Sequence, residues 1–117
     1  MTLEGTLAVT VEPTAGESPT VEFAFTVRNE GSEPVEINFS DSGKTEFVVR
    51  DEKREIWRFT DGRMFAQLLS TDRLEAGETT TYEGEWENPR PGEYTAVAEL
   101  RARETDCEAR SEFTVSS

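Results

Sequence analysis

The chain has 117 residues, 25 Asp and Glu against 12 Lys and Arg, a formal net charge of -13, one cysteine and no histidine. The length suits one domain, residues 1–117. The composition excludes an imidazole-based relay, an internal disulfide, a His/Cys zinc site and a phosphate-backbone binder, and no apolar run is long enough to span a membrane.

Period-two alternation then runs through the chain. Leu7, Val9 and Val11 share one face of a first strand, and Val21, Phe23, Phe25 and Val27 one face of a second. Val35, Ile37 and Phe39 repeat the pattern, followed by Phe47 with Val49 and Trp57 with Phe59. Met64, Phe65, Leu68 and Leu69 break it with helical spacing behind Asp61, which predicts one short helical turn or an irregular crossover near 64–70, joining two sheets. Alternation resumes with Tyr82 and Trp86, then Tyr94, Ala96, Ala98 and Leu100, and ends with Phe113 and Val115. Turn signals at Pro13 to Pro19, Gly31 to Pro34, Ser42-Gly43, Asp61-Gly62, Ala76-Gly77 and Pro89 to Gly92 separate the runs. The pattern predicts an all-β, antiparallel sandwich of about seven to eight strands.

If Trp86 pairs with Tyr94 and Tyr82 with Ala98 in a hairpin, Glu87 falls opposite Glu93 on an outer face that also carries Glu83 and Glu85. Like charges across a ladder are destabilising unless salt or arginine screens them. Acids are dispersed from Glu4 to Glu112, and ten arginines stand against two lysines. This pattern predicts a halophilic protein, since the Debye length falls to roughly 3 Å at about 1 M salt and removes the repulsion. The start Met1-Thr2-Leu3-Glu4-Gly5 lacks the basic and apolar regions of a signal peptide, and a lone Cys107 fits a reducing, cytoplasmic compartment. Acidic neighbours raise the pKa of that thiol, so it is read as unreactive. Gly43, Gly77 and Gly92 are expected to take positive φ in turns.

The middle of the chain is more specific. Asn38-Phe39-Ser40-Asp41-Ser42-Gly43-Lys44-Thr45-Glu46-Phe47-Val48-Val49 precedes Ile56-Trp57-Arg58-Phe59-Thr60, then Met64-Phe65-Ala66-Gln67, Leu74 with Ala76-Gly77-Glu78, Tyr82, Trp86, and Pro91-Gly92-Glu93-Tyr94. In order and spacing, this set over about residues 20 to 102 resembles the BsuPI family of intracellular proteinase inhibitors, here as an acidic, haloarchaeal-type member. It departs from the family pattern at Phe59, Thr60, Asp41 and Ala66, and lacks the usual glycine between Asp51 and Arg54. The resemblance implies an immunoglobulin-like sandwich and inhibition of a cytoplasmic serine proteinase by a non-catalytic domain.

Trp57, Arg58, Arg63, Met64, Phe65 and Gln67 are the candidate partner-binding residues, because large aromatics and arginine anchor interfaces. The competing reading of Trp57 and Phe59 is inter-sheet core, with Arg58 pointing outward. Gln67 and Ser40 are expected to bond backbone at the crossover. An inhibitory loop here has no disulfide to hold it, so packing must, with Phe65 and Leu68 as anchors beneath Asp61 to Thr71 and Arg63 or Met64 offered to a specificity pocket; the loop Asp41 to Thr45 is the second choice, and blocking the proteinase away from its cleft is an equal alternative. Two readings follow: a proteinase inhibitor or regulator, and a general protein-interaction sandwich that inhibits nothing. A well-packed, protruding 61–71 loop favours the first. A concave apolar groove bearing exposed Trp57 or Phe65 favours the second. No cofactor, metal, nucleic-acid or membrane partner is expected, and the chain is read as a monomer or weak dimer.

Overall fold

A computed structural model describes residues 3–12, 19–103 and 105–115. The strands are β1 (Leu3–Glu12), β2 (Thr20–Asn29), β3 (Val35–Phe39), β4 (Thr45–Asp51), β5 (Arg54–Arg58), β6 (Ser70–Leu74), β7 (Thr79–Glu87), β8 (Gly92–Leu100), β9 (Ala102–Arg103) and β10 (Glu108–Val115). Three antiparallel sheets result, ordered β1-β2-β7, β10-β8-β4-β5 and β6-β3-β9.

The first two sheets face each other through their alternating apolar residues. In β2, Val21, Phe23, Phe25 and Val27 are all at most 1% exposed. From the opposing sheet come Phe47, Val49, Tyr94, Ala96 and Ala98, and the third sheet adds Ile37, Phe39 and Leu74 to the same core. Phe23 stacks on Phe47 with ring centroids 5.4 Å apart, and Phe39 meets Tyr82 edge-on at 6.1 Å. The order β1-β2-β7 against β10-β8-β4-β5 is that of an immunoglobulin-like sandwich. Tyr94 forms the corner expected there, its hydroxyl donating to the carbonyl of Arg90 at 2.6 Å.

The supposed pairing of Trp86 with Tyr94 is corrected: β7 pairs with β2, and β8 with β10 and β4. The connection contains Asn88 at φ 56° and the buried Pro89, and it carries the chain from one layer to the other. Trp86 and Tyr94 consequently meet edge-to-face across the core, centroids 5.3 Å apart, rather than side by side on a ladder. Like charges do face one another, but with other partners: Glu22 lies opposite Glu85, and Glu99 lies between Glu46 and Glu108.

The short helical turn near 64–70 is also corrected, since no helix forms there; the irregular crossover between two sheets is what the chain adopts. Phe65 turns inward while Met64 and Leu69 are 98% and 77% exposed, so the four apolar residues share no face that a helix would bury. Strands β6 and β9 were not anticipated from the apolar pattern. Of β6 only Leu74 is buried, and β9 is two residues long. The turn expected at Pro13 to Pro19 lies, apart from Pro19, outside the described residues.

Repulsion on the outer faces gives a first expected result. A hydrogen bond and charge from Glu12, then burial, then the charges of Glu85 and Glu83, push the Glu22 carboxyl above its ordinary range. An acid whose folded pKa is raised stabilises the fold only below its unfolded pKa, and that contribution is lost as pH rises through the folded value. Glu22→Gln therefore raises the thermal midpoint at neutral pH in dilute buffer, and the gain fades at about 2 M KCl. Thermal scans of both chains at two salt concentrations check this.

Candidate functional site

The crossover leaves β5 at Arg58 and reaches β6 at Ser70. It is fixed at its start by a buried carboxylate. Glu46 is on the outward side of β4, yet only 7% exposed. One oxygen accepts from the backbone N–H of Phe47 at 3.1 Å and of Thr60 at 3.2 Å. The other accepts from the Thr60 hydroxyl at 2.5 Å and from Arg58 at 3.0 Å. Arg58 also donates to Glu55 at 2.7 Å, and bonding to Glu55 and then Glu46 pushes its pKa still higher. The Phe59 N–H donates to the carbonyl of Phe47 at 2.9 Å, and two successive turns follow, Asp61 to Arg58 and Arg63 to Thr60.

The middle of the crossover is held from two sides. The Arg63 guanidinium lies over the Phe59 ring at 4.1 Å and donates to the Phe59 carbonyl at 2.7 Å. Beyond Met64, Arg101 lies over the Phe65 ring at 5.3 Å. Arg101 is itself fixed by donating to Asp41 at 2.7 Å and to the carbonyl of Gly43. Next, Ala66 and Ser42 exchange two bonds: the Ala66 N–H donates to the Ser42 hydroxyl and the Ser42 N–H to the Ala66 carbonyl, both at 2.9 Å. Such bonds between short loops replace the cross-link the chain lacks.

Gly43 explains how the loops come so close. It is not among the positive-φ residues, against expectation. A Cβ placed there would lie 2.5 Å from Arg101 Nη1 and 2.9 Å from the Phe65 ring. The glycine is required for this close approach, not for left-handed backbone.

Asp41 has its carboxyl held below the usual range, foremost by the Arg101 hydrogen bond. A carboxylate whose folded pKa is depressed stabilises above its unfolded pKa, and the contribution disappears as pH falls through the folded value. The Arg101 support of the crossover is thus weakened by acid and intact at neutral pH.

Of the six candidate residues, the structure brings Arg58, Arg63, Met64, Phe65 and Gln67 onto or beside the crossover. Trp57 belongs with the core: it is half-buried, stacked 5.8 Å from both Phe23 and Trp86. Arg58 is on the outward side, tied to two glutamates. Gln67 is exposed, and the backbone bonding expected of Gln67 and Ser40 is carried by Ser42 instead. Phe65 anchors as expected. Leu68 does not, being 62% exposed. Among the described residues the exposed large apolar side chains are Ile56, Met64, Leu68 and Leu69, all on β5 and the crossover. Glu46 and Arg101 were given no role from the sequence, and Ser42 only that of a turn residue in the Asp41 to Thr45 loop. Their signal is tertiary, since each acts on a segment at least fourteen residues away.

Among the described residues no helix is long and apolar enough to cross a membrane, and no group of three or more His, Cys, Asp or Glu is arranged to hold a metal ion. Cys107 is buried against the core, and burial first, then the charge of Glu4, raises its thiol pKa.

A family model described as BsuPI, intracellular proteinase inhibitor, matches residues 5–105. No curated protein matches the chain significantly. Among solved structures, the sporulation control protein Spo0M from Bacillus subtilis is similar at TM-score 0.58 and 11% identity, covering 100% of this chain and 50% of that one. Beta-glucuronidase 2 from Bacteroides uniformis is similar at TM-score 0.54 and 17% identity, covering 94% of this chain and 13% of that one. A CARDB domain from Pyrococcus furiosus is similar at TM-score 0.50 and 16% identity, covering 98% of this chain and 96% of that one. The chain thus spans half or less of the first two. At these identities the likeness concerns the fold alone.

Proposed function

Since the chain belongs to the BsuPI family of intracellular proteinase inhibitors, we propose that it inhibits a cytoplasmic serine proteinase, with the 59–69 crossover as the contact and Met64 as the residue entering the specificity pocket. The observation that carries this reading is the contrast at Met64. Its side chain is 98% exposed, while Arg63 on one side and Phe65 and Ala66 on the other are tied to Phe59, Arg101 and Ser42. A flexible loop is a substrate because it can be drawn into the cleavage geometry. A loop already ordered loses little conformational entropy on binding and resists that distortion. The apolar tip supplies the side chain that leaves water in the pocket.

Trp57, packed against Phe23 and Trp86, is not the exposed groove residue that the alternative, a general interaction sandwich without inhibitory activity, would use. The dispersed carboxylates support a saline cytoplasm as the working medium, where the ladder pairs of glutamates are screened. Glu46 is engaged with Arg58, and Asp41 with Arg101, which argues against a catalytic role for these carboxylates.

Met64→Asp tests the reading. The inhibition constant against a subtilisin-like serine proteinase is expected to rise by about 30-fold, the roughly 2 kcal/mol of a hot-spot residue. The unfolding midpoint is expected to stay unchanged, because the side chain is in solvent. An unchanged inhibition constant moves the contact away from the crossover tip.

A further inference from the structure

Strand β7 is the outer strand of its sheet. It pairs with β2 from Thr79 to Glu87, and no described strand pairs with its other side. Alternate N–H and C=O groups along it therefore point away from β2 and are available to an added strand. The crossover passes this edge and leaves two clefts, of about 480 and 360 Å³, that share Phe59 and Glu83 as lining residues. Gly84, which lines the larger cleft, lets the Phe47 and Phe59 rings pack directly onto the inner side of β7. A Cβ there would lie 2.7 Å from the Phe47 ring and 3.2 Å from Phe59. Thr45 lines the smaller cleft beside Phe65 and Tyr82. It is 5% exposed, and its hydroxyl has no hydrogen-bond partner. Unsatisfied buried hydroxyls are uncommon and call for an explanation.

We propose that this edge binds an extended partner segment that adds to β7 as a further strand and alternates basic with apolar residues. The period of two dictates the alternation. On the outer face, Glu83, Glu85 and Glu87 are exposed, and Glu85 is opposite Glu22 in the ladder. A strand added beside β7 sets every second side chain next to these carboxylates, where Lys or Arg is favoured and an acid is repelled. The intervening side chains point inward to Phe59 and Phe65. The cations of this chain near the groove are already engaged: Arg63 with Phe59, and Lys44 with Asp72 at 3.1 Å. Strand addition at β7 does not require Met64 to enter a specificity pocket.

The probe is a capped peptide of alternating arginine and valine, added to the full chain at the lowest KCl concentration at which circular dichroism reads it folded. A second peptide has proline in place of its central valines, keeping the charge but removing ladder donors. The expected result is binding of the first peptide, with gained hydrogen-exchange protection confined to outward amides of β7. Affinity is expected to fall about tenfold or more with the proline peptide and with the Glu83→Lys, Glu85→Lys double variant, whose exposed sites leave folding intact. No binding, equal binding of both peptides, or protection on β5 or β6 instead overturns the proposal.

Discussion

Phe23→Ala is expected to lower the free energy of unfolding by about 3–5 kcal/mol. The side chain is 1% exposed and stands where both sheets converge. Its ring stacks on Phe47 at 5.4 Å and Trp57 at 5.8 Å and meets the edge of Phe113 at 6.2 Å. Its removal leaves a void walled by aromatic rings that β4 and β5 hold in place, so the neighbours cannot collapse into it. Set against a total stability of about 5–15 kcal/mol for a natural domain, the loss is a large share. Denaturant titration of both chains, under one salt concentration, measures it. A loss below about 1 kcal/mol contradicts the packing described for the aromatic column.

Glu46→Ala is expected to cost about 2–4 kcal/mol. The deletion takes a hydrogen-bond acceptor from Arg58 and from both the hydroxyl and N–H of Thr60. Arg58 is 36% exposed and keeps Glu55, so its charge is partly solvated and the cost stays below that of a fully buried broken pair. Thr60 loses both of its bonds to Glu46, and of the crossover's ties to β4 described above only the Phe59 N–H to Phe47 carbonyl bond is kept. Limited proteolysis is therefore expected to cut the variant between Asp61 and Leu69 faster than the parent. Unchanged stability together with unchanged proteolysis contradicts the role assigned to Glu46.

The sandwich was legible because its core strands are one-sided. β2 reads apolar at Val21, Phe23, Phe25 and Val27, and all four are buried. β6 was invisible for the converse reason: Ser70 to Leu74 packs one apolar residue and holds its place through backbone pairing with β3. The supposed β7–β8 hairpin failed because alternation tells which face is buried and not which sheet a strand joins. Trp86 and Tyr94 are both inward, as expected, but on opposite layers. At the crossover the residue types were informative and their arrangement was not. Met64 and Phe65 are adjacent apolar residues with opposite fates, decided by Arg101, 36 positions further along the chain than Phe65. Gly43 looked like a turn glycine, whereas its function depends on two side chains that arrive from elsewhere.

The central proposal is that the braced crossover of this inhibitor-family member meets a proteinase and survives the meeting. The most direct measurement is a titration of a subtilisin-like serine proteinase with the intact chain in high salt, followed by mass spectrometry of the mixture. Stoichiometric loss of proteinase activity with the chain recovered uncut is the result the account predicts. Rapid cleavage within 59–69 while the proteinase keeps its activity contradicts it.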